Sequence, residues 1–255
     1  MILETQDVSV RFGGLVALDS ISLHVAEREV VGLIGPNGAG KTTLFNAVSG
    51  IVPVAGGTVR FEGRDIGRLP IHRRARLGIG RTLQTPTLMP AHSVLENLIA
   101  AAANLWKSRI GLVLDRAGEI ADAVGVLEYL HTAVRDLPAG VLREVDIARA
   151  LMTQPKVVLL DEPAAGLHGA EKARLLNLIA SLPEKFDTAV VLIEHDMEVV
   201  MRAANRIFVL DFGCMLAHGA PEEIRTNRSV IEAYLGVDVE TDGPALVSGG
   251  AEATP

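Results

Sequence analysis

Aromatic residues make up only 4% of this 255-residue chain, and it holds a single cysteine, Cys214. One thiol excludes an intrachain disulfide and fits a reducing compartment. Cys214 follows Asp211-Phe212-Gly213, which reads as a turn between two short strands, and packing rather than reactivity is expected of it. Long hydrophobic runs are also missing: none approaches the roughly 20 residues that a bilayer-spanning helix needs. Even the alanine-rich stretch from Leu98 to Leu105 is broken or flanked by Asn97, Asn104 and Lys107. The start, Met1-Ile2-Leu3-Glu4-Thr5-Gln6-Asp7, lacks a basic segment and carries acids early, so no targeting signal is expected. The chain is therefore expected to be soluble and to meet a membrane only through a partner. Excess positive charge is absent too, since 24 Lys and Arg against 31 Asp and Glu leave a net charge of −7. That balance argues against nucleic acid as a partner. Arg73-Arg74-Ala75-Arg76 with Arg81 is the local exception, and reads as a solvated basic edge.

What is present is core material, at 49% hydrophobic residues, in a Val/Ile/Leu/Ala-rich composition that suits a single α/β domain. The most informative segment is Gly35-Pro36-Asn37-Gly38-Ala39-Gly40-Lys41-Thr42-Thr43, which fits G-x-x-x-x-G-K-[ST]. It follows the buried strand pattern Val30-Val31-Gly32-Leu33-Ile34 and precedes a helix-like Thr43-Leu44-Phe45-Asn46-Ala47-Val48. Three glycines let the backbone curl so that its N–H groups point at phosphate oxygens at a helix N-terminus. Lys41 can reach the outer phosphates, and the Thr42 hydroxyl can ligate Mg²⁺. The motif implies a bound nucleoside triphosphate.

Two further strands end in reactive groups. Val157-Val158-Leu159-Leu160 runs into Asp161-Glu162, and Thr188-Ala189-Val190-Val191-Leu192-Ile193 into Glu194-His195-Asp196. At the carboxyl ends of parallel strands, where such sheets place ligands, Asp161 can hold the metal and Glu162 can polarise water. His195 stands at the same edge.

Elsewhere, Val8-Ser9-Val10-Arg11-Phe12 and Ile21-Ser22-Leu23-His24-Val25 alternate as half-buried antiparallel strands do, and Thr58-Val59-Arg60-Phe61 reads as another strand. Ser93-Val94-Leu95-Glu96 is a capping box that opens a mostly helical stretch to about Leu130, with breaks expected at Gly111, Gly118 and Gly125. Strand–helix alternation resumes from Leu142, and Asp196 is a candidate N-cap. The expected architecture is an α/β P-loop NTPase core with a mainly parallel sheet, an antiparallel β subdomain and a helical lobe. One domain should span 1–240, with the lobe at about 90–140 and a disordered tail at 241–255.

The order of the phosphate loop, Gln84, Leu137-Pro138-Ala139-Gly140-Val141, Asp161-Glu162-Pro163 and His195 resembles the ATP-binding subunits of ABC transporters. The resemblance covers roughly residues 2–236. Arg11-Phe12-Gly13-Gly14-Leu15, Asp161-Glu162-Pro163-Ala164-Ala165-Gly166-Leu167, Ile193-Glu194-His195-Asp196-Met197 and Ala233-Tyr234-Leu235-Gly236 are similar to the first of two ATPases in branched-chain amino acid importers. Urea and other amide importers share these strings. The resemblance implies an ATPase whose cofactors are ATP and Mg²⁺. Phe12 would stack on adenine, although one aromatic near a turn also serves as a hydrophobic plug. Gly35 to Thr43 would hold the phosphates. Gln84 would reach Mg²⁺ and couple to the membrane partner, and Thr42 and Asp161 would serve the metal. Catalysis would rest on Lys41, Glu162 and His195, with Glu162 as the catalytic carboxylate and His195 touching the γ-phosphate. The implied partners are a second ABC ATPase subunit, in a hetero- or homodimer, two membrane permeases and, indirectly, a periplasmic solute-binding protein. The implied location is the inner face of the cell membrane.

Two departures stand out. The family signature reads approximately L-S-G-G-Q, and Pro138 supplies neither the hydroxyl nor the backbone N–H of that serine. His168 stands where an Asp or Asn usually closes the loop, and its ring retains hydrogen-bonding capacity. Two other classes fit a chain of this kind: a soluble ABC ATPase of DNA repair or translation, and a binding-only regulatory subunit. The first usually carries two cassettes or a long coiled-coil insert, neither of which is present.

Overall fold

The computed structural model describes residues 1–102 and 110–235. The expected tail, 241–255, lies outside the described residues. Leu3–Phe12 (β1) and Leu15–Val25 (β2) form an antiparallel hairpin whose tight turn uses Gly13 at φ +59°. The alternation read from the sequence runs through both strands, which bury Val8, Val10, Leu18, Ile21, Leu23 and Val25. Val30–Ile34 (β3) is buried along its length and leads through the phosphate loop into Lys41–Ser49 (α1). Gly56–Phe61 (β4) pairs antiparallel with β1, and the two-residue strand Arg64–Asp65 (β5) pairs with β4. Next come Ile71–Leu77 (α2) and Ile79–Arg81 (β6), then Val94–Ala102 (α3) and Ile110–Val124 (α4). Ala139–Leu151 (α5), Val157–Asp161 (β7), Gly169–Phe186 (α6), Ala189–Ile193 (β8) and Met197–Ala203 (α7) follow. The described chain ends with Arg206–Asp211 (β9), Cys214–Gly219 (β10), Pro221–Arg225 (α8) and Arg228–Leu235 (α9).

The strands make two sheets, a four-stranded antiparallel one ordered β2-β1-β4-β5 and a six-stranded one ordered β10-β9-β3-β8-β7-β6. All pairs in the larger sheet are parallel except β9–β10. A strand's side chains alternate between faces, so β3, β7 and β8 each feed two cores. Val30, Val158, Leu160, Val190 and Leu192 pack against the helical side. Val31, Leu33, Leu159, Val191 and Ile193 pack against α1 and the smaller sheet. The phosphate loop therefore emerges from a strand fixed on both faces.

The capping box at Ser93 forms as read: Glu96 N–H donates to Ser93 Oγ at 3.2 Å, and Ser93 N–H to Glu96 Oε2 at 2.7 Å. The expected breaks at Gly111 and Gly118 do not occur, because α4 runs through both and stops only at Gly125, φ +85°. Each helical glycine costs up to about 1 kcal/mol, but the buried stripe Val113, Ala117, Ile120, Ala121 and Val124 outweighs that. α5 begins at Ala139, ahead of the expected Leu142, with Pro138 as its N-cap. A proline is tolerated there because a first-turn N–H has no intrahelical partner.

The basic edge is only half an edge. Arg73 and Arg76 are exposed, whereas Arg74 is fully buried. Its Nη1 donates to Ala47 and Val48 carbonyls at 2.7 Å each, Nε to Leu69 O at 2.8 Å and Nη2 to Gly67 O at 2.9 Å. The guanidinium thus sits on the negative end of the α1 dipole, which lets a cation be buried without a carboxylate. Arg81 is also withdrawn from solvent and belongs to the site described below. Cys214, expected to pack, is exposed, because it opens the edge strand β10. Among the described residues, no helix is long and apolar enough to cross a membrane.

Candidate functional site

The phosphate loop joins the end of β3 to the start of α1. Gly35 takes φ +151° and Gly40 φ +101°, and neither has room for a side chain. A Cβ on Gly35 would lie 2.1 Å from Leu210 O, and one on Gly40 would lie 2.6 Å from Leu18 Cδ2. The β9–β10 turn braces the loop through Gly213 N–H, which donates to Ala39 O at 3.1 Å. The first-turn N–H groups of α1 face outward without intrahelical acceptors, as an anion site requires. Lys41 is buried at 7% exposure, and its ammonium is folded back on its own loop. Nζ donates to Gly35 O at 2.6 Å and to Pro36 O at 2.9 Å. Burial lowers its pKa from the ordinary lysine value, and the fields of Glu162 and Asp161 oppose that shift.

A cleft of about 430 Å³ opens over the loop. Phe12, Leu15, the Asn37–Thr43 backbone, Glu162 and Phe212 line it. Gly35 and Pro36 are not among its lining residues. Phe12 is half exposed and free to present a ring face.

Asp161 and Glu162 end β7 together but enter different surroundings. Asp161 is buried and pairs with Arg81 Nη2 at 3.1 Å. Burial raises its pKa, and Arg81 works against the rise. Arg81 also donates to Asn46 Oδ1 at 2.8 Å and Ser49 Oγ at 2.9 Å, which ties β6 and β7 to α1. Glu162 adopts φ +48°, a left-handed conformation costing a non-glycine residue of order 1 kcal/mol. It turns out of the strand into a side-chain clasp. Gln84 Nε2 donates to Glu162 Oε2 at 2.7 Å, and His195 Nδ1 lies 3.3 Å from Oε1. Both carboxylate oxygens are thus oriented from flanking loops, an arrangement able to hold a water for attack.

The structure therefore brings Phe12, Asn37 to Thr43 and Glu162 to one cleft, and attaches Gln84 and His195 through Glu162. Asp196 caps α7 as read, accepting from Glu198 N–H at 3.0 Å and Val199 N–H at 3.4 Å. His168 is the N-cap of α6, and its side chain makes no capping hydrogen bond. Pro138 lies outside the cleft, exposed at the start of α5.

Three residues were not singled out for the site from sequence. In sequence Arg81 looks like surface, because the three-residue strand holding it is too short to show a period. Phe212, on the β9–β10 turn, is 90% exposed at the cleft mouth, and an aromatic inside a D-x-G turn was its only signal. Arg143 of α5 donates Nη1 to Gln84 O at 2.6 Å and had no sequence signal.

Glu194 is a further buried acid beside this site, at 1% exposure. Its Oε1 accepts Ala164 N–H at 2.8 Å and so fastens the loop after Glu162 to the end of β8. Burial pushes its pKa up to about 7; the Ala164 N–H and His195 pull it down, while Glu162 and Asp196 push it up.

Comparison with known proteins agrees with this geometry. The family model described as ABC transporter matches residues 18–165, and one described as branched-chain amino acid ATP-binding cassette transporter matches residues 214–240. The chain is 43% identical over 249 residues to the high-affinity branched-chain amino acid transport ATP-binding protein LivG of Salmonella typhimurium, covering 92% of this chain and 98% of that one. It is 41% identical to BraF of Pseudomonas aeruginosa, of the same description, with the same coverage. The ADP conformation of MJ1267, an ATP-binding cassette of an ABC transporter, superposes with a TM-score of 0.84 at 29% identity, over 92% of this chain and 99% of that one.

Glu194 has a consequence for stability against pH. Its folded pKa of about 7 lies above the ordinary 4.5, so the fold favours the protonated acid. Below pH 4.5 both states are protonated and nothing is lost. Between 4.5 and 7 the unfolded chain ionises first and stability falls, reaching a deficit on the order of 3 kcal/mol above pH 7. Glu194→Gln keeps an acceptor for Ala164 N–H and removes the charge. Urea melts at pH 5, 6.5 and 8 should show the variant gaining on the wild type as pH rises. An offset that does not change with pH would contradict this.

Proposed function

The chain belongs to the ABC transporter family as an ATP-binding, ATP-hydrolysing subunit, and on that premise we propose that it energises an importer of branched-chain amino acids or a related small polar solute. The family match at residues 214–240 and the names of its relatives support the solute class. For the ATPase, the observation that carries most weight is the clasp on Glu162, held by Gln84 and His195 at the mouth of a cleft floored by Lys41.

The proposed assignment follows the sequence. Phe12 stacks on adenine, and the loop Gly35 to Thr43 cradles the phosphates, with the backbone N–H groups from Asn37 onward facing the cleft. Thr42, Gln84 and Asp161 hold Mg²⁺. These are hard oxygen donors with one carboxylate among them, which suits an ion bound jointly to phosphates and water rather than caged by protein. The described residues contain no cluster of three or more His, Cys, Asp or Glu side chains that would form such a cage. Mg²⁺ supplies charge neutralisation at the phosphates when bound. Lys41 leaves its two carbonyls for the outer phosphates. Glu162 orients the attacking water and takes its proton, while His195 contacts the γ-phosphate. The chemistry is chiefly positioning and electrostatics. A single ABC ATPase domain over 1–240, with a helical lobe at about 90–140, completes the reading.

The partners we assign are a second ABC ATPase subunit, two membrane permeases that hold the pair at the inner face of the membrane, and a periplasmic solute-binding protein acting through them. ATP binds between the two ATPases, the phosphate loop of one facing the signature of the other. Closure on ATP and reopening after hydrolysis drive the permeases.

Lys41→Ala is expected to lose most triphosphate affinity, whereas Glu162→Gln should bind ATP and stall turnover. Lys41 acts on phosphates in the ground state and Glu162 only as the transition state forms. Calorimetric titration with ATP and a steady-state phosphate-release assay check both. Tight binding by the first variant, or normal turnover by the second, would overturn the assignment.

Pro138 makes the composite sites unequal when the partner ATPase carries a serine signature. This chain's loop and Glu162, facing that signature, should hydrolyse ATP. The partner's loop, facing Leu137-Pro138-Ala139-Gly140-Val141, should turn over slowly. The missing charge-assisted contact is worth ~1.5–3 kcal/mol, or about ten- to a hundredfold. In a heterodimer where this chain carries Glu162→Gln, adding Pro138→Ser with Val141→Gln should raise the residual rate. A residual rate already near wild type, unchanged by the repair, would rule the asymmetry out.

A further inference from the structure

The first glycine of the phosphate loop is gripped from the far end of the described chain. Gly35 N–H donates to Tyr234 Oη at 2.7 Å, across 199 residues. Tyr234 belongs to α9, which is docked by the buried Val230 and lies against β10. Burial pushes the phenol's pKa up to about 12, with the Gly35 bond opposing, so the hydroxyl stays neutral across the working pH range.

The other end of the same residue has a different partner, since Gly35 O accepts Lys41 Nζ at 2.6 Å. The two bonds respond differently to a nucleotide. Phosphates compete for the ammonium, so the carbonyl bond is surrendered on binding. Neither Gly35 nor Tyr234 lines the cleft, so a phosphate seated in it does not compete for the Tyr234 bond. Gly35 sits at φ +151°, and a glycine left unpinned there has many other backbone conformations open to it. An N–H left without its acceptor there would also carry a desolvation cost.

We propose that Tyr234 is a positioning residue for nucleotide binding. Its hydroxyl fixes the Gly35 peptide so that the phosphate loop keeps its shape after Lys41 has moved to the phosphates. The inference rests on the reading of Gly35 to Thr43 as the nucleotide site. It also gives α9, within the segment matched by the branched-chain amino acid cassette model, a direct part in ATP affinity.

The test uses the full-length chain with Tyr234→Phe, which keeps the ring and removes the hydroxyl. Val230→Ala, which loosens α9 but leaves the hydroxyl, is the control, and Lys41→Ala reports on the loop itself. Calorimetric titration with MgADP and with a non-hydrolysable ATP analogue, steady-state hydrolysis, and nucleotide-free melting are measured for each. Tyr234→Phe should weaken nucleotide binding about three- to tenfold and raise KM by the same factor, with kcat within about twofold. Val230→Ala should lower the melting temperature at least as far while keeping affinity within about twofold. Wild-type affinity in Tyr234→Phe overturns the proposal. So does an equal affinity loss in Val230→Ala, which would make Tyr234 merely part of the docking of α9. If Lys41→Ala still binds as wild type, the loop is not the nucleotide site and both readings fall together. If it loses binding while Tyr234→Phe does not, the role of Tyr234 alone is refuted.

Discussion

A buried ammonium hydrogen-bonded to two backbone carbonyls is the constraint around which the cleft is arranged. Lys41 is almost inaccessible, and its described partners are the carbonyls of Gly35 and Pro36. Two carbonyl dipoles offset the desolvation of a full charge only in part, which is why burial pulls its pKa down. Such a lysine is satisfied enough to fold and still gains when anionic oxygens arrive. Every other feature of the loop serves that exchange. The glycines hold a backbone that side chains would block, β3 fixes one end on both faces, and the buried Arg74 secures the far end of α1.

The second constraint is that three parallel strands stop at one edge. β7 ends in Asp161, Glu162 follows it, and His195 stands two residues beyond β8. In-register pairing of Asp161 with Ile193 puts these ends side by side, and Glu162 N–H donates to Ile193 O at 3.0 Å. The helix α5 reaches the same place. Arg143 holds the carbonyl of Gln84 at 2.6 Å, and Arg149 holds that of Thr87 at 2.7 Å. The segment carrying Gln84 is therefore anchored by the helix that Pro138 starts. Movement of that helix would be felt at Glu162 through Arg143 and Gln84, a mechanical link between the start of α5 and the end of β7.

Much of this was legible in the chain. The parallel core announced itself because β3, β8 and all of β7 before Asp161 are short, mostly β-branched apolar runs, the pattern of strands buried on both faces. The phosphate loop was legible because its glycines, Lys41 and Thr42 are each demanded by a separate physical need. The resemblance to ABC ATPases singles out Gln84, Glu162 and His195, and the structure brings the three side chains into contact. What failed to show were contacts between residues distant in sequence. Arg74 and Arg81 look like neighbours in a basic run, yet one caps a helix and the other pairs with Asp161. Gly111 and Gly118 look like helix breakers until the buried stripe they interrupt is counted. Cys214 looks like core until its strand proves to lie at a sheet edge.

The central claim is that nucleotide phosphates replace the Gly35 and Pro36 carbonyls as partners of Lys41. A crystal structure of the Glu162→Gln chain with ATP and Mg²⁺ tests it most directly. Lys41 Nζ is expected within about 3 Å of phosphate oxygens and released from both carbonyls, with Mg²⁺ at Thr42. Lys41 still bound to Gly35 O and Pro36 O beneath an ordered nucleotide would contradict it.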